Sequence, residues 1–452
     1  MARQDFPDGF VFGVATASYQ IEGAVDEGGR GPSIWDTFSH TPGTVSDGTT
    51  GDVACDHYHR WEADLDRMAD LGVDAYRFSI AWSRIQPSGV GRANQAGLDF
   101  YSRLVDGLLA RGIRPLVTLY HWDLPQALED AGGWTARETA CRFADYAEIV
   151  ARALGDRVDD WVTLNEPWCA AMLGYALGVH APGRTSPLAG LRASHHLNLA
   201  HGLAVQALRA AADARVGVVV NYHQFYPATD SPDDRDAVTR ADAIGNWIYT
   251  DPMFRGRYDP LTLAVTKDLT TWDFVADGDL AAIHQPLDFL GVNYYSPTWL
   301  AASAAPLAEP NPWPGAVKAR WVDAPPPVTA MGWTVEPRGL TDLLVKLHAR
   351  YPGMDLVITE NGSAWDDQVG ADSAVHDPQR VAYLRDHLDA VAAAIGAGAP
   401  VRGYYAWSLM DNFEWAFGYS RRFGLYHTDY ATQARTPKDS ARWYQAFLGG
   451  RG

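Results

Sequence analysis

Thr163-Leu164-Asn165-Glu166-Pro167 closes an apolar run begun at Trp161 with a carboxylate, in a stretch that otherwise favours burial. Far down the chain, Ile358-Thr359-Glu360-Asn361-Gly362 repeats the design. Two strands that each end in a glutamate can aim two carboxyl groups at one bound molecule, and paired carboxylates are what acetal hydrolysis requires.

Working outward, similar short apolar runs bounded by turn residues recur near Val11 to Ala15, Ala75 to Ile80, Arg114 to Leu119, Trp161 to Asn165, Val216 to Val220, Phe289 to Asn293, Leu356 to Thr359 and Gly403 to Trp407. Between most of them lies a segment of helical periodicity, the alternation expected of a parallel α/β fold. Leu98, Tyr101, Leu104, Val105 and Leu108 form one apolar stripe that Gly112 can end. Thr135 followed by Glu138 reads as a capping box ahead of Phe143, Tyr146, Ile149 and Val150. Asp377-Pro378 reads as an N-cap with proline at the first helical position, followed by Val381, Leu384, Leu388, Val391 and Ile395. Buried strands separated by one-sided helices predict a (β/α)8 TIM barrel, with a doubly wound open sheet as the alternative.

Residues Ser18 to His57 form a Gly-rich polar excursion, and Tyr294 to Pro337 carry Pro306, Pro310, Pro312, Pro314 and Pro325 to Pro327, which excludes a long helix there. Both are predicted to be long loops over the barrel mouth. With no internal repeat and no hinge-like linker, residues 1–452 are expected to form a single catalytic barrel domain.

A formal charge of −18 without a Lys/Arg cluster makes nucleic acid and anionic membrane poor partners. Cys55, Cys141 and Cys169 are too few and too scattered for a disulfide framework, which fits a reducing compartment. The N-terminus lacks an apolar signal core and no run is long enough to span a bilayer, so a soluble, cytoplasmic protein is expected. The 17 Trp and 21 Tyr supply flat faces suited to ring-shaped ligands as well as to cores.

In a barrel, active-site residues sit just past the carboxyl ends of strands. Arg77 lies late in the second strand; His121-Trp122-Asp123 follow the third, Asn165-Glu166 end the fourth, and Asn293-Tyr294-Tyr295 end the sixth. Glu360-Asn361 end the seventh and Trp407 the eighth. A lone glutamate after a strand is most often a cap or a salt-bridged surface residue. The pair on strands four and seven, flanked by Asn165 and Asn361, points instead to catalysis.

These residues resemble the signature of the family-1 glycoside hydrolases, the β-glucosidase and β-galactosidase family. The resemblance extends through Phe10 to Gly23, Gly31 to Phe38, Tyr76 to Arg84 and both glutamate segments. It implies a barrel that cleaves β-linked sugars with retention. Position by position, Glu166 resembles the general acid/base and Glu360 the nucleophile, with Arg77, Asn165, Asn293 and Tyr295 in support. Gln20, His121, Asn165, Glu414 and Trp415 would bind sugar hydroxyls, Trp122 would join the substrate-binding set, Trp407 would stack under the pyranose, and Trp168 and Trp333 would wall the leaving-group side, although simple packing explains those two tryptophans nearly as well. An anionic Glu414 would repel a 6-phosphate, favouring an unphosphorylated glycoside, and Glu166 argues against the myrosinase-like branch, which has glutamine there.

Other patterns carry less. Asn361-Gly362-Ser363 matches a glycosylation acceptor inside the expected active site, a coincidence. His195, His196 and His201 read as ordinary helix histidines with no acidic partner rather than metal ligands. Cys169 reads as a buried structural thiol, with no adjacent base evident. The expected activity is therefore a retaining β-glucosidase acting on small glucosides or cello-oligosaccharides without metal or organic cofactor. Galactosidase, fucosidase or transglycosylase action on the same site, and a non-catalytic sugar-binding barrel, are the alternatives. Oligomeric state is not legible.

Overall fold

The computed structural model describes residues 2–323 and 325–450. Eight parallel strands close on themselves: β1 (Val11–Ala15), β2 (Ala75–Ser79), β3 (Arg114–Tyr120), β4 (Asp160–Asn165), β5 (Arg215–Asn221), β7 (Phe289–Asn293), β10 (Leu356–Asn361) and β11 (Val401–Trp407), with β11 pairing back onto β1. The closed barrel removes the doubly wound alternative, and each expected run is a strand to within a residue or two at either end.

The strands are nearly continuous in apolar residues because both faces are covered. The larger apolar cluster lies between strands and helices, while Leu116, Val162, Val219, Phe289 and Tyr405 belong to a smaller one inside the barrel. Glycines make room for its rings: a Cβ on Gly13 would stand 2.5 Å from the Tyr405 ring, and one on Gly217 2.4 Å from that of Phe289.

The helix Gln95–Ala110 ends as its sequence predicts. Gly112 takes φ +70°, its N–H donates to Leu109 and that of Ile113 to Leu108, closing a Schellman turn. The capping box at Thr135 is not formed. The helix Arg137–Leu154 begins one residue later, after Ala136, because the Thr135 hydroxyl donates to the Gly132 carbonyl and Glu138 pairs with Arg142 instead. Asp377 does stand before Pro378 at the start of Pro378–Gly396, but its carboxylate serves Arg380 and Ser440 rather than the helix N–H groups.

The two irregular regions are less bare than expected. The first contains the short helices Ser18–Ile21 and Ile34–Ser39. Within the second, β8 (Thr298–Ala302) and β9 (Ala319–Trp321) build a three-stranded sheet with β6 (Phe225–Pro227), which follows β5. A further hairpin joins β12 (Tyr426–Asp429) to β13 (Ala434–Pro437). Among the described residues no helix is long and apolar enough to cross a membrane.

Candidate active site

Both glutamate-bearing strands lose regular register just before their carboxylates. Pairing of β4 with β5 shifts between Val162 and Asn165, and pairing of β10 with β7 shifts between Ile358 and Glu360. Such irregularities re-aim side chains at barrel rims. Glu166 then leaves the strand at φ +47°, its N–H donating to the Val219 carbonyl at 2.8 Å, a left-handed conformation rare away from glycine and held here by the surrounding strands.

The two carboxyls open onto one cavity of about 470 Å³ at the carboxyl end of the barrel. His121, Trp122, Trp168, Asn293, Tyr295, Trp333, Trp407, Glu414 and Trp415 line it with them. Three of the expected residues do not. Arg77 and Asn165 are buried beneath the floor, and Gln20 lies behind Glu414.

Buried polar groups must find partners, and here they form one connected network. Arg77 donates to Glu360 Oε1 at 2.6 Å and to Asn165 Oδ1 at 2.6 Å. The Tyr295 hydroxyl donates to Glu360 Oε2 at 2.6 Å. Asn293 Nδ2 donates to Glu166 Oε1 at 2.6 Å and to Asn165 Oδ1 at 3.1 Å, while its Oδ1 accepts from Thr359 at 2.7 Å. Cys169 Sγ lies 3.1 Å from Glu166 Oε2, so the thiol that reads as isolated in sequence has an acidic partner.

The two glutamates thus differ in their neighbours. Burial raises both pKa values. Glu166, with neutral donors and the Glu360 charge close by, is pushed up to about 8. Glu360 is opposed in its rise by the Arg77 guanidinium and the Tyr295 hydroxyl, which both favour its anion. A single proton shared between them therefore resides on Glu166.

Around the cavity, His121 Nε2 accepts from Asn165 Nδ2 at 3.1 Å; burial and Arg77 keep the ring neutral, so Nδ1 carries the hydrogen and has no partner among the described residues. His121 stacks on Trp407, with centroids 5.9 Å apart. Trp122 donates to the Asn165 carbonyl and packs on Trp415 at 4.6 Å. Gln20 Nε2 donates to Asn412 Oδ1 and the Phe413 carbonyl, which leaves its Oε1 unpartnered among the described residues. Enclosure and the nearby Glu360 and Glu166 carboxyls raise the pKa of Glu414 to about 8.

Both tryptophans expected on the outer wall do face the cavity, Trp168 beside His223 and Trp333 beside Tyr295. Sequence reasoning missed Asn221 at the end of β5, Tyr222 and His223 just past it, His180, and Trp299 and Trp321 of the β6–β8–β9 sheet. The strand-end rule would have found the first three, since polar and aromatic residues follow β5 as they follow the other strands. The histidine reading is also corrected. His195, on the helix Pro187–Ala211, has an acidic partner, with Nε2 2.9 Å from Asp279 Oδ2, while His196 and His201 bond to the Trp134 carbonyl and the Thr163 hydroxyl. Among the described residues no group of three or more His, Cys, Asp or Glu side chains could hold a metal ion.

Residues 2–452 match the model for glycosyl hydrolase family 1. A bifunctional β-D-glucosidase/β-D-fucosidase of Bifidobacterium breve is 55% identical, with 98% of each chain covered, and β-glucosidase A of Thermotoga maritima is 47% identical, again over 98% of each. The solved structure of the psychrophilic β-glucosidase BglU from Micrococcus antarcticus superposes with a TM-score of 0.95 at 46% identity, covering 99% of this chain and 98% of that one. A match across nearly the whole length, joined to two unlike buried carboxyls at the strand ends of a closed barrel, means that this chain belongs to glycosyl hydrolase family 1.

Proposed function

We propose that the chain is a retaining β-glucosidase that removes terminal non-reducing β-D-glucosyl residues from small glucosides and cello-oligosaccharides. The observation that carries this reading is the pair of carboxyls sharing one cavity with opposite surroundings. Glu360, its charge favoured by Arg77 and Tyr295, attacks the anomeric carbon while Glu166 gives its proton to the leaving oxygen; the glycosidic bond breaks and an ester to Glu360 forms. With the Glu360 charge gone, the proton affinity of Glu166 falls, and it then takes a proton from the water that hydrolyses the ester. Two carboxyls roughly 5 to 5.5 Å apart suit this double displacement.

The glycone would stack on Trp407, with hydroxyls reaching His121 and Glu414, which Asn165 and Gln20 hold from behind. Trp168 and Trp333 would wall the leaving group. The case for an unphosphorylated sugar rests on the cavity itself: three carboxyls and, among the described residues, no Lys or Arg on its walls. The names of the relatives support glucose, and the bifunctional relative supports β-fucosides as a second substrate. Three free thiols support a reducing, cytoplasmic setting, and the chain would act as one catalytic unit.

Chemical rescue tests the roles. Glu360→Gly is expected to abolish turnover and to yield the α-glucosyl azide with azide. Glu166→Ala with azide and an activated aryl glucoside is expected to yield the β product. Retained activity in both variants would overturn the assignment. Initial rates on p-nitrophenyl glucoside, galactoside and fucoside decide the sugar.

A further inference from the structure

Glu166 is held from both sides, and only one of its holders has a part in the reading so far. Asn293 occupies Oε1. An amide N–H can only donate, so Oε1 serves as acceptor and the acid proton belongs on Oε2. That oxygen faces the thiol of Cys169 at 3.1 Å. The local chain path brings the two together. After Glu166 leaves β4, the backbone enters a π-helical segment, Cys169–Ala176, whose first residue turns back over the carboxyl and onto the cavity wall. Such segments are rare and concentrate at functional sites. Cys169 is 7% exposed, and burial beside Glu166 raises its pKa well above the usual thiol value, so it keeps its S–H and acts as a neutral donor.

We propose that Cys169 is a positioning residue for Glu166: its S–H holds Oε2 as the Asn293 amide holds Oε1, fixing the carboxyl in one orientation and favouring its anion over its acid. When Glu166 carries its proton on Oε2, the sulfur is only a weak acceptor beside it. When Glu166 is ionised, the thiol donates to the bare oxygen. The contact is therefore stronger in one protonation state than in the other, and a difference of that kind sets a proton affinity. The other groups that face Glu166 are Glu360 from β10, Arg77 from β2, Asn293 and Tyr295 at the end of β7, and Glu414 after β11. Substituting Cys169 leaves all of them in place.

The inference rests on the reading of Glu166 as the general acid, and three variants test it with the full-length enzyme. Cys169→Ala removes the donor, Cys169→Val removes it while refilling the volume, and Cys169→Ser restores a hydroxyl donor. Profiles of kcat/KM against pH on an alkyl glucoside, whose poor leaving group needs the acid, are compared with melting temperatures. The expected result is an alkaline limb displaced upward by about half a unit or more in the Ala and Val variants, with Ser at or below the parent value. An alkaline limb that coincides in parent, Ala and Val overturns the proposal, whatever the melting temperatures do. Glu166→Ala, read on an activated aryl glucoside because the alkyl substrate needs the acid it lacks, separates the two failures. Loss of the alkaline limb in that variant, with unmoved limbs in the Cys169 variants, sinks only the role of Cys169. A limb that survives Glu166→Ala sinks the acid assignment itself.

Discussion

At the scale of single residues, the chemistry depends on which carboxyl keeps the proton. Glu166 must be protonated to act, and burial with the Glu360 charge sets its pKa at about 8, so kcat/KM on substrates with poor leaving groups is expected to fall as pH rises past about 8. Activated aryl glucosides, which need no acid in the first step, should show a weaker alkaline fall, and parallel pH profiles on the two substrate types check this. Glu360 must be ionised, and its anion is favoured by the 2.6 Å bond from Tyr295. A hydrogen bond to a charged group is worth about 1.5–3 kcal/mol. Tyr295→Phe is accordingly expected to lower kcat by about 10- to 100-fold and to move the acidic limb of kcat/KM upward, since Glu360 then gains a proton more readily. The histidine at position 121 carries its free hydrogen on Nδ1 because Asn165 occupies Nε2, a tautomer fixed by the neighbour and not by the residue.

At the scale of elements, two glycines separate folding from function. Gly112 ends a surface helix at φ +70°, away from the cavity, with no heavy atom within 4 Å of a built Cβ. Gly112→Ala should lower stability by about 1 kcal/mol through backbone strain alone and leave kcat unchanged, as thermal melts and assays on one preparation would reveal. Gly362 follows the Glu360-Asn361 end of β10, and a Cβ there would come 1.8 Å from the Trp407 carbonyl oxygen. Gly362→Ala must push the end of β10 away from the end of β11, parting the nucleophile strand from the ring expected under the sugar. About 1–3 kcal/mol of stability should go, together with most of kcat. Other local rules failed where a side chain had a nearer partner. Thr135 had the spacing of a capping box, yet its hydroxyl found the Gly132 carbonyl first.

At the scale of the molecule, the segment after β11 is tied down by a charge network from distant parts of the chain. Lys438 is fully buried between Asp367 and Asp411, at 2.5 and 2.6 Å, and Arg380 and Arg422 complete the set. Asp411 also accepts from the Gly424 N–H, and the next residue, Asn412, accepts from Gln20. The network thus stands behind the Gln20–Glu414 corner of the cavity. Lys438→Met would leave two buried carboxylates short of a partner, and removing one side of such a pair typically costs about 3–5 kcal/mol. A melting point lower by several degrees, with KM for glucosides raised more than kcat is lowered, is the expected signature.

The chain by itself determined the eight strands, the barrel and the rim residues, because apolar runs of strand length and glutamates at their ends are local patterns that read in order. Glu166, Glu360, Asn293, Tyr295 and Trp407 were legible for that reason. Only the closed barrel decided what lies between residues far apart in sequence. It set the register shifts that aim the carboxylates, the amide of Asn293 between Asn165 and Glu166, and the raised pKa of Glu414, which its sequence context did not announce. Cys169 shows the same limit at short range. Three residues from Glu166, it reaches the carboxyl only because a left-handed turn and a π-helical start fold the chain back, and proton affinity follows from that proximity rather than from residue type.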